Sequence, residues 1–293
     1  PILSVLGIVG NTVNMIVLCR HGFKETTNII LVSLALNDFC YSVLNPICRL
    51  KRVIVYLDLP LSVTFTTFIN IYVYPVVDVF VGLSFLHVTA IAVERFVAVF
   101  FPFYVSRVFT PYRVKVMLTF LYVYTAGFIA PLFFNSTYEW FYDTGYNVTV
   151  ARLINTRFYL DNYGTFNLYL GVLLNNLFST FTLAIIIVCS VAIIVKLKIM
   201  SFSDKQKNPE TSTKTKSPKN VKVVKMLLAV CLVNLVAFLP SAILDVYRRY
   251  VMIDYFSGEI NAVIGNVNET LYQFNVSVNF IIYVTMSSKF AST

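Results

Sequence analysis

The stretch Ala92-Val-Glu94-Arg95-Phe96-Val-Ala-Val-Phe-Phe-Pro102 decides how this chain reads. It closes an apolar run that begins near residue 66, and in such a run a charge is costly unless it faces water, a partner or the interior of a helix bundle. A lone Glu-Arg pair would carry little weight, since most such pairs are solvated helix charges. Its weight here comes from the rest of the chain.

Hydrophobic residues make up 58% of the sequence and charged ones 13%, with a mean hydropathy of +0.75. Soluble domains carry about 25% charged residues, so the composition excludes a soluble globular protein. Apolar runs fall at about residues 1–20, 27–51, 66–99, 112–134, 166–196, 221–247 and 262–285. Each is near the length of about 20 residues that crosses a bilayer as a helix, and none shows the ten-residue alternation of outer-membrane strands. The expectation is an all-α membrane protein, a seven-transmembrane helix bundle forming one domain over 1–293. The first run opens at Pro1 without Met, which suggests a core trimmed at its N-terminus and in its C-terminal tail.

Polar connectors separate the runs. Residues 21–26 read as a tight turn and 52–65 as a connector on the opposite side. Residues 103–111 link the third and fourth runs. Residues 135–165 form the longest loop, and the Lys/Ser/Thr-rich 197–220 is the most polar. With the N-terminus extracellular, only Arg49, Lys51, Arg52, Arg152, Arg157, Arg248 and Arg249 of the 23 Lys and Arg residues lie outside. The remainder lie inside, the positive-inside bias of a plasma-membrane protein. Basicity confined to membrane-flanking segments points to anionic lipid and an acidic protein surface as partners, not to nucleic acid. Two glycosylation sequons, at Asn135 and Asn147, fall in the long outer loop and agree with that orientation.

Five segments align along the chain: Gly10-Asn11-Thr-Val-Asn14, Asn28-Ile-Ile-Leu-Val-Ser33-Leu-Ala35-Leu-Asn37-Asp38, Glu94-Arg95-Phe96 with Pro102, Cys231-Leu-Val-Asn234-Leu-Val-Ala237-Phe238-Leu239-Pro240, and Asn279-Phe-Ile-Ile-Tyr283. In this order they resemble the rhodopsin-like (class A) G-protein-coupled receptors. The resemblance implies a receptor that transduces an extracellular ligand, peptide or chemosensory, to a heterotrimeric G protein. Coupling and switching would fall on Glu94, Arg95, Phe96, Phe103, Lys222, Lys225, Phe238, Pro240, Asn279 and Tyr283. It also implies a sodium pocket of Asp38, Ser84, Asn275 and Asn279 with Asn11 adjoining, where hard oxygen ligands suit a hard cation. A plain cluster of interhelical hydrogen bonds is the alternative reading of the same residues. Residues from Val284 to Phe290 resemble the start of a short amphipathic helix along the inner membrane face.

The chain also departs from that family. Ala237-Phe238 replace Cys-Trp before Pro240, no Pro follows Asn279, the fourth run lacks Trp and the fifth lacks Pro. Asn220 stands where a Glu often pairs with the helix-3 Arg. Asn70 stands where the family has an outer cysteine, and no Cys occurs between 49 and 188, so the outer loop is untethered or held by non-covalent contacts. The profile suits a divergent branch, invertebrate peptide-receptor-like or chemosensory.

For the ligand, Asp78, Asp245 and Glu269 with Tyr74, Tyr247 and Tyr272 suggest a pocket for a cationic peptide or basic odorant. The alternative is that Asp245 pairs with Arg248 or Arg249, and Asp78 with a polar neighbour. The helix-3 acid of amine receptors falls here on Val77, so Asp78 is turned by about 100° from it. Against the receptor stands a multi-pass transporter or channel using Asp38, Asp78, His87 and Glu94 as a polar path. No metal-ligand cluster or nucleophile–base signature suggests an enzyme.

Overall fold

Hydrocarbon offers no partner to a peptide group, so an apolar run saturates its own backbone by forming a helix, and all seven runs do so. The computed structural model describes residues 2–174, 176–207, 219–250 and 258–286, with the side chains of 170–172, 201–207, 219–223, 225, 241, 244–250, 258–262 and 283–286 outside that description. The seven spans are α1 (Ile2–Arg20), α2 (Thr26–Arg49), α4–α5 (Leu59–Phe68 and Tyr74–Phe100), α7 (Pro111–Ile129), α10 (Thr182–Lys207), α11 (Lys219–Tyr250) and α12 (Gly258–Met286). Among the described residues, Ile2–Arg20, Thr26–Leu57, Leu59–Phe100, Pro111–Phe134 and Asn176–Met200 are long and apolar enough to cross a membrane, and α11 adds a shorter apolar stretch, Met226–Pro240. The polar residues Gln273, Asn275 and Asn279 of α12 are buried at 3%, 0% and 1% exposure, so this helix turns its polar side into the bundle.

α5 is the central helix, packed on α2, α7, α10 and α11, while α12 closes the bundle against α1 and α11. Gly10 permits the α1–α12 approach: a Cβ there would lie 2.7 Å from Cβ of Phe280. Two apolar cores result. One, around Ile30, Leu34, Val88, Ile91 and Leu227, lies toward Arg95. The other, around Tyr41, Phe85, Phe238 and Tyr272, lies toward the opposite end. Outward-facing apolar side chains such as Val116, Phe120, Val123, Val188 and Val191 are exposed, as a lipid-facing surface requires.

Several connectors are more ordered than the sequence suggests. Residues 52–65, read as a connector, are helical: α3 (Lys51–Leu57) precedes α4. The break between them is Asp58, whose carboxylate caps α4 by accepting from the Leu61 N–H at 2.8 Å. Pro75 has no N–H to return to the α-ladder, and just before it Ile69–Val73 widens into a π-turn. The fifth span, which lacks Pro, begins with two π-helical segments, Tyr169–Leu174 and Asn176–Phe181. α6 (Pro102–Val108) occupies the 103–111 connector. The short helices α8 (Arg157–Asp161) and α9 (Tyr163–Leu168) precede the fifth span.

One connector is not wholly helical. The long loop folds into a two-stranded antiparallel hairpin, β1 (Ser136–Asp143) and β2 (Val148–Asn155), paired from Ser136↔Asn155 to Asp143↔Val148. Its strands are rich in aromatic and β-branched residues, and Gly145 donates to the Asp143 carboxylate across the turn at 3.0 Å. Of the expected amphipathic helix from Val284 to Phe290, the first three residues continue α12 and the rest lies outside the described residues.

Candidate functional site

At one end of the bundle, Glu94 is 1% exposed. It accepts hydrogen bonds from Thr26 Oγ1 at 2.7 Å and Thr27 Oγ1 at 2.9 Å, both at the start of α2. Arg95 Nη2 lies 3.0 Å from Glu94 Oε2 and also donates to Thr27 Oγ1. The Arg95 guanidinium is thus held by its own helix and by α2, with Nε buried and unpartnered. Phe96 stacks on Phe100 at 4.6 Å, and Phe103, on α6, is 87% exposed. The side chains of Lys222, Lys225 and Tyr283 lie outside the described residues, as does that of Asn220.

Midway along the bundle runs a belt of buried polar side chains. Asn279 Nδ2 donates to Asp38 Oδ2 at 2.8 Å. Asn11 Nδ2 donates to the Val276 carbonyl at 3.2 Å. The Tyr272 hydroxyl donates to the Phe80 carbonyl at 3.2 Å. Asn275 reaches the other way, donating to Asn234 Oδ1 on α11 at 3.2 Å. The belt leaves acceptor oxygens over: Asp38 Oδ1, Ser84 Oγ, Asn11 Oδ1, Asn37 Oδ1, Asn275 Oδ1 and Asn279 Oδ1 are buried without a hydrogen-bond partner. Such atoms are rare in folded proteins and need an explanation. Above the belt, Phe238 packs on Phe85 at 4.4 Å and Tyr272 at 5.2 Å. Pro240 sits inside α11, two residues on.

At the hairpin end, Glu269 meets two arginines. Its Oε2 lies 3.3 Å from Arg49 Nη2 and 3.8 Å from Arg52 Nη2. Tyr74 carries Lys51 over its ring at 5.3 Å. Asp78 is exposed. Tyr272 is buried under Tyr41, 4.2 Å between ring centroids, and belongs to the belt rather than to an open pocket. The side chains of Asp245 and Tyr247 lie outside the described residues. Of the three acids expected to share one pocket, Glu269 is set on two arginines, Asp78 is exposed, and the side chain of Asp245 is not among those described.

The hairpin is held without a covalent tether, all five cysteines being free. Thr67 Oγ1 donates to the Ala151 carbonyl at 2.9 Å, and the Ala151 N–H donates to Thr64 Oγ1 at 3.2 Å. Asn147 is exposed at the turn, whereas Asn135 is half-buried. His87 is fully buried, 2.8 Å from Ser33 Oγ and 2.6 Å from the Leu83 carbonyl, and Tyr122 reaches the same Ser33 hydroxyl at 3.2 Å.

Sequence reasoning did not single out Thr26, Thr27 or Asn234. Asn234, an amide inside an apolar run, carried a signal; the two threonines at a helix start are ordinary in any sequence. Among the described residues no group of three His, Cys, Asp or Glu side chains is placed to hold a metal.

The family model for 7 transmembrane receptors of the rhodopsin family matches residues 10–283. No curated protein matches the chain. The match runs from the Gly10-Asn11 pair through the Asp38–Asn279 belt and the Glu94–Arg95 pair to Tyr283. It takes in nearly all the geometry described above, and the chain therefore belongs to the rhodopsin family of seven-transmembrane receptors, multi-pass membrane proteins of signal transduction and not a family of enzymes.

Proposed function

We propose that the protein binds an extracellular ligand at the hairpin end and passes the signal to a heterotrimeric G protein at the Arg95 end. The observation that carries this reading is the storage of Arg95 on Glu94 and Thr27. A guanidinium held by two neighbours at a bundle end is released when α2 and α5 shift by a small amount, and it then presents five donors to a docking protein. Phe103, exposed on α6 beside it, offers an apolar contact to the same partner. Anionic lipid on that side would meet the basic residues flanking the spans.

The belt supports a second element of the same proposal. A sodium ion bound by the Asp38 carboxylate and the unpartnered oxygens of Ser84, Asn275 and Asn279 would stabilise whichever receptor state keeps those oxygens together, since a ligand shifts populations only by differential affinity.

The test is a G-protein dissociation panel in cells expressing the full-length protein, first without ligand and then with ligand pools. Dissociation of at least one G-protein subtype is expected from wild type. Arg95→Gln should lose it at equal surface level. Equal coupling by Arg95→Gln would sink the proposal.

A further inference from the structure

We infer that the ligand is recognised through an anionic group, a carboxylate, sulfate or phosphate ester, that takes the guanidinium donors of Arg49 and Arg52. This rests on the receptor reading above for its placement at the ligand end.

The sequence puts Arg49, Lys51 and Arg52 within four residues, where α2 gives way to α3. Each guanidinium has five N–H donors in a planar fork matched to a planar or tetrahedral oxyanion. The only carboxylate within ion-pair distance of either guanidinium, among the described residues, is Glu269. It serves both poorly. At 3.3 Å from Arg49 Nη2 it makes an ion pair without hydrogen-bond alignment, and that Nη2 is buried with no hydrogen-bond partner. At 3.8 Å from Arg52 it is too far for a hydrogen bond at all. Arg52 turns instead to the neutral Asn266 side chain.

The charge balance points the same way. Lys51 sits over the Tyr74 ring, 5.3 Å from its centroid. Among the described side chains, Arg49 and Arg52 share the single carboxylate of Glu269, with Lys51 between them in sequence, and the excess charge is positive. A cationic ligand entering here would meet like charge, whereas an oxyanion would complete two half-used forks with charge-assisted hydrogen bonds. Helix-end stabilisation does not account for Arg49, because its Nε donates to the Asn45 side chain at 3.2 Å rather than to a terminal carbonyl. That bond also gives the anion a route inward. Asn45 donates to Gln273 Oε1 at 2.7 Å, and Gln273 donates to Ser42 Oγ at 3.1 Å, joining α2 to α12.

Two measurements test the inference. The first reads binding without signalling. The purified full-length receptor, in a maltoside detergent free of phosphate, is unfolded thermally in sodium sulfate against sodium chloride at matched ionic strength. Sulfate should raise the unfolding temperature of wild type. Its apparent affinity should rise several-fold in Glu269→Gln, where the internal competitor is gone, and disappear in Arg49→Gln and Arg52→Gln. Comparing the two salts within each variant removes differences in baseline stability. Identical unfolding in both salts for wild type and Glu269→Gln overturns the inference. Dioctanoyl-phosphatidylserine is added in a further arm: a persistent sulfate effect supports a soluble ligand, and its loss assigns the site to a lipid headgroup and overturns the ligand assignment.

The second measurement reads signalling, with a pool of small carboxylic acids and acidic peptides against the same compounds as amides. Activity should reside in the free acids and fall about 10- to 100-fold in Arg49→Gln and Arg52→Gln. Amides as potent as acids overturn the inference while leaving the receptor reading standing. A sulfate effect with no G-protein response to any pool does the reverse.

Discussion

Glu94 and Arg95 show how a local environment changes the expected cost of a substitution. From sequence, deleting an inward-facing Arg relieves a burial cost and leaves the fold intact. In the structure Glu94 is 1% exposed and Arg95 neutralises it, so Arg95→Ala strands a buried carboxylate with only the hydroxyls of Thr26 and Thr27. Breaking a buried pair from one side costs about 3 kcal/mol. Thermal unfolding of the detergent-solubilised receptor should therefore show Arg95→Ala clearly destabilised and Glu94→Gln/Arg95→Ala largely recovered. Equal stability of single and double variants would show that Glu94 is solvated after all. The belt gives a second prediction at this scale. If sodium uses the free oxygens around Asp38, unfolding in sodium chloride should exceed unfolding in N-methylglucamine chloride by several degrees, and Asp38→Asn should abolish the difference. A wild-type receptor indifferent to the cation leaves only helix–helix hydrogen bonding for these residues.

Elements are stitched together here by single hydrogen bonds where a covalent link is missing. The hairpin meets α4 through Thr64 and Thr67 on Ala151, and Phe68 packs edge-on to Tyr138 at 5.1 Å. Thr67 and Ala151 are both buried, at 4% and 0% exposure, so each bond is shielded from water and contributes about 1 kcal/mol. Thr64→Val/Thr67→Val keeps the shape and removes both. Amide hydrogen exchange at Ala151 should then accelerate roughly 10- to 30-fold, with the α5–α10 core unchanged. Unchanged exchange at Ala151 would mean that apolar packing alone seats the hairpin.

For the whole molecule the question is which end faces the cytosol. The hairpin end bears the Asn147 sequon on an exposed turn, where the backbone takes a φ of 56°. Asn135 is half-buried, its side-chain oxygen enclosed. If the hairpin end is extracellular, glycosidase treatment should shift the mass of the expressed receptor, and Asn147→Gln should remove most of that shift, more than Asn135→Gln does. An epitope tag near Lys214 should stain only permeabilised cells. Staining of intact cells at that tag would reverse the orientation and with it the assignment of ligand and G-protein ends.

The spans, their helical state and the family were legible in the sequence because they follow from short-range physics. About 20 apolar residues in a row can satisfy their backbone only as a helix in lipid, and Gly10-Asn11, Asp38, Glu94-Arg95 and Asn279 keep fixed spacings along such helices. Buried position was legible at Asp38 and Glu94 for the same reason, since a polar group in an apolar run gains by turning inward, although Asp78 does not. Partnership was not. Glu269 reads as one acid among three until α12 sets it against Arg49 and Arg52, 220 and 217 residues away in sequence. Thr27 is unremarkable until α2 brings it to Arg95, and Asn234 until α11 meets Asn275 on α12. The hairpin likewise depends on contacts between Ala151 and α4 that no local window contains. Electrostatic and hydrogen-bond energies depend on distances between helices, and tertiary packing alone sets those distances.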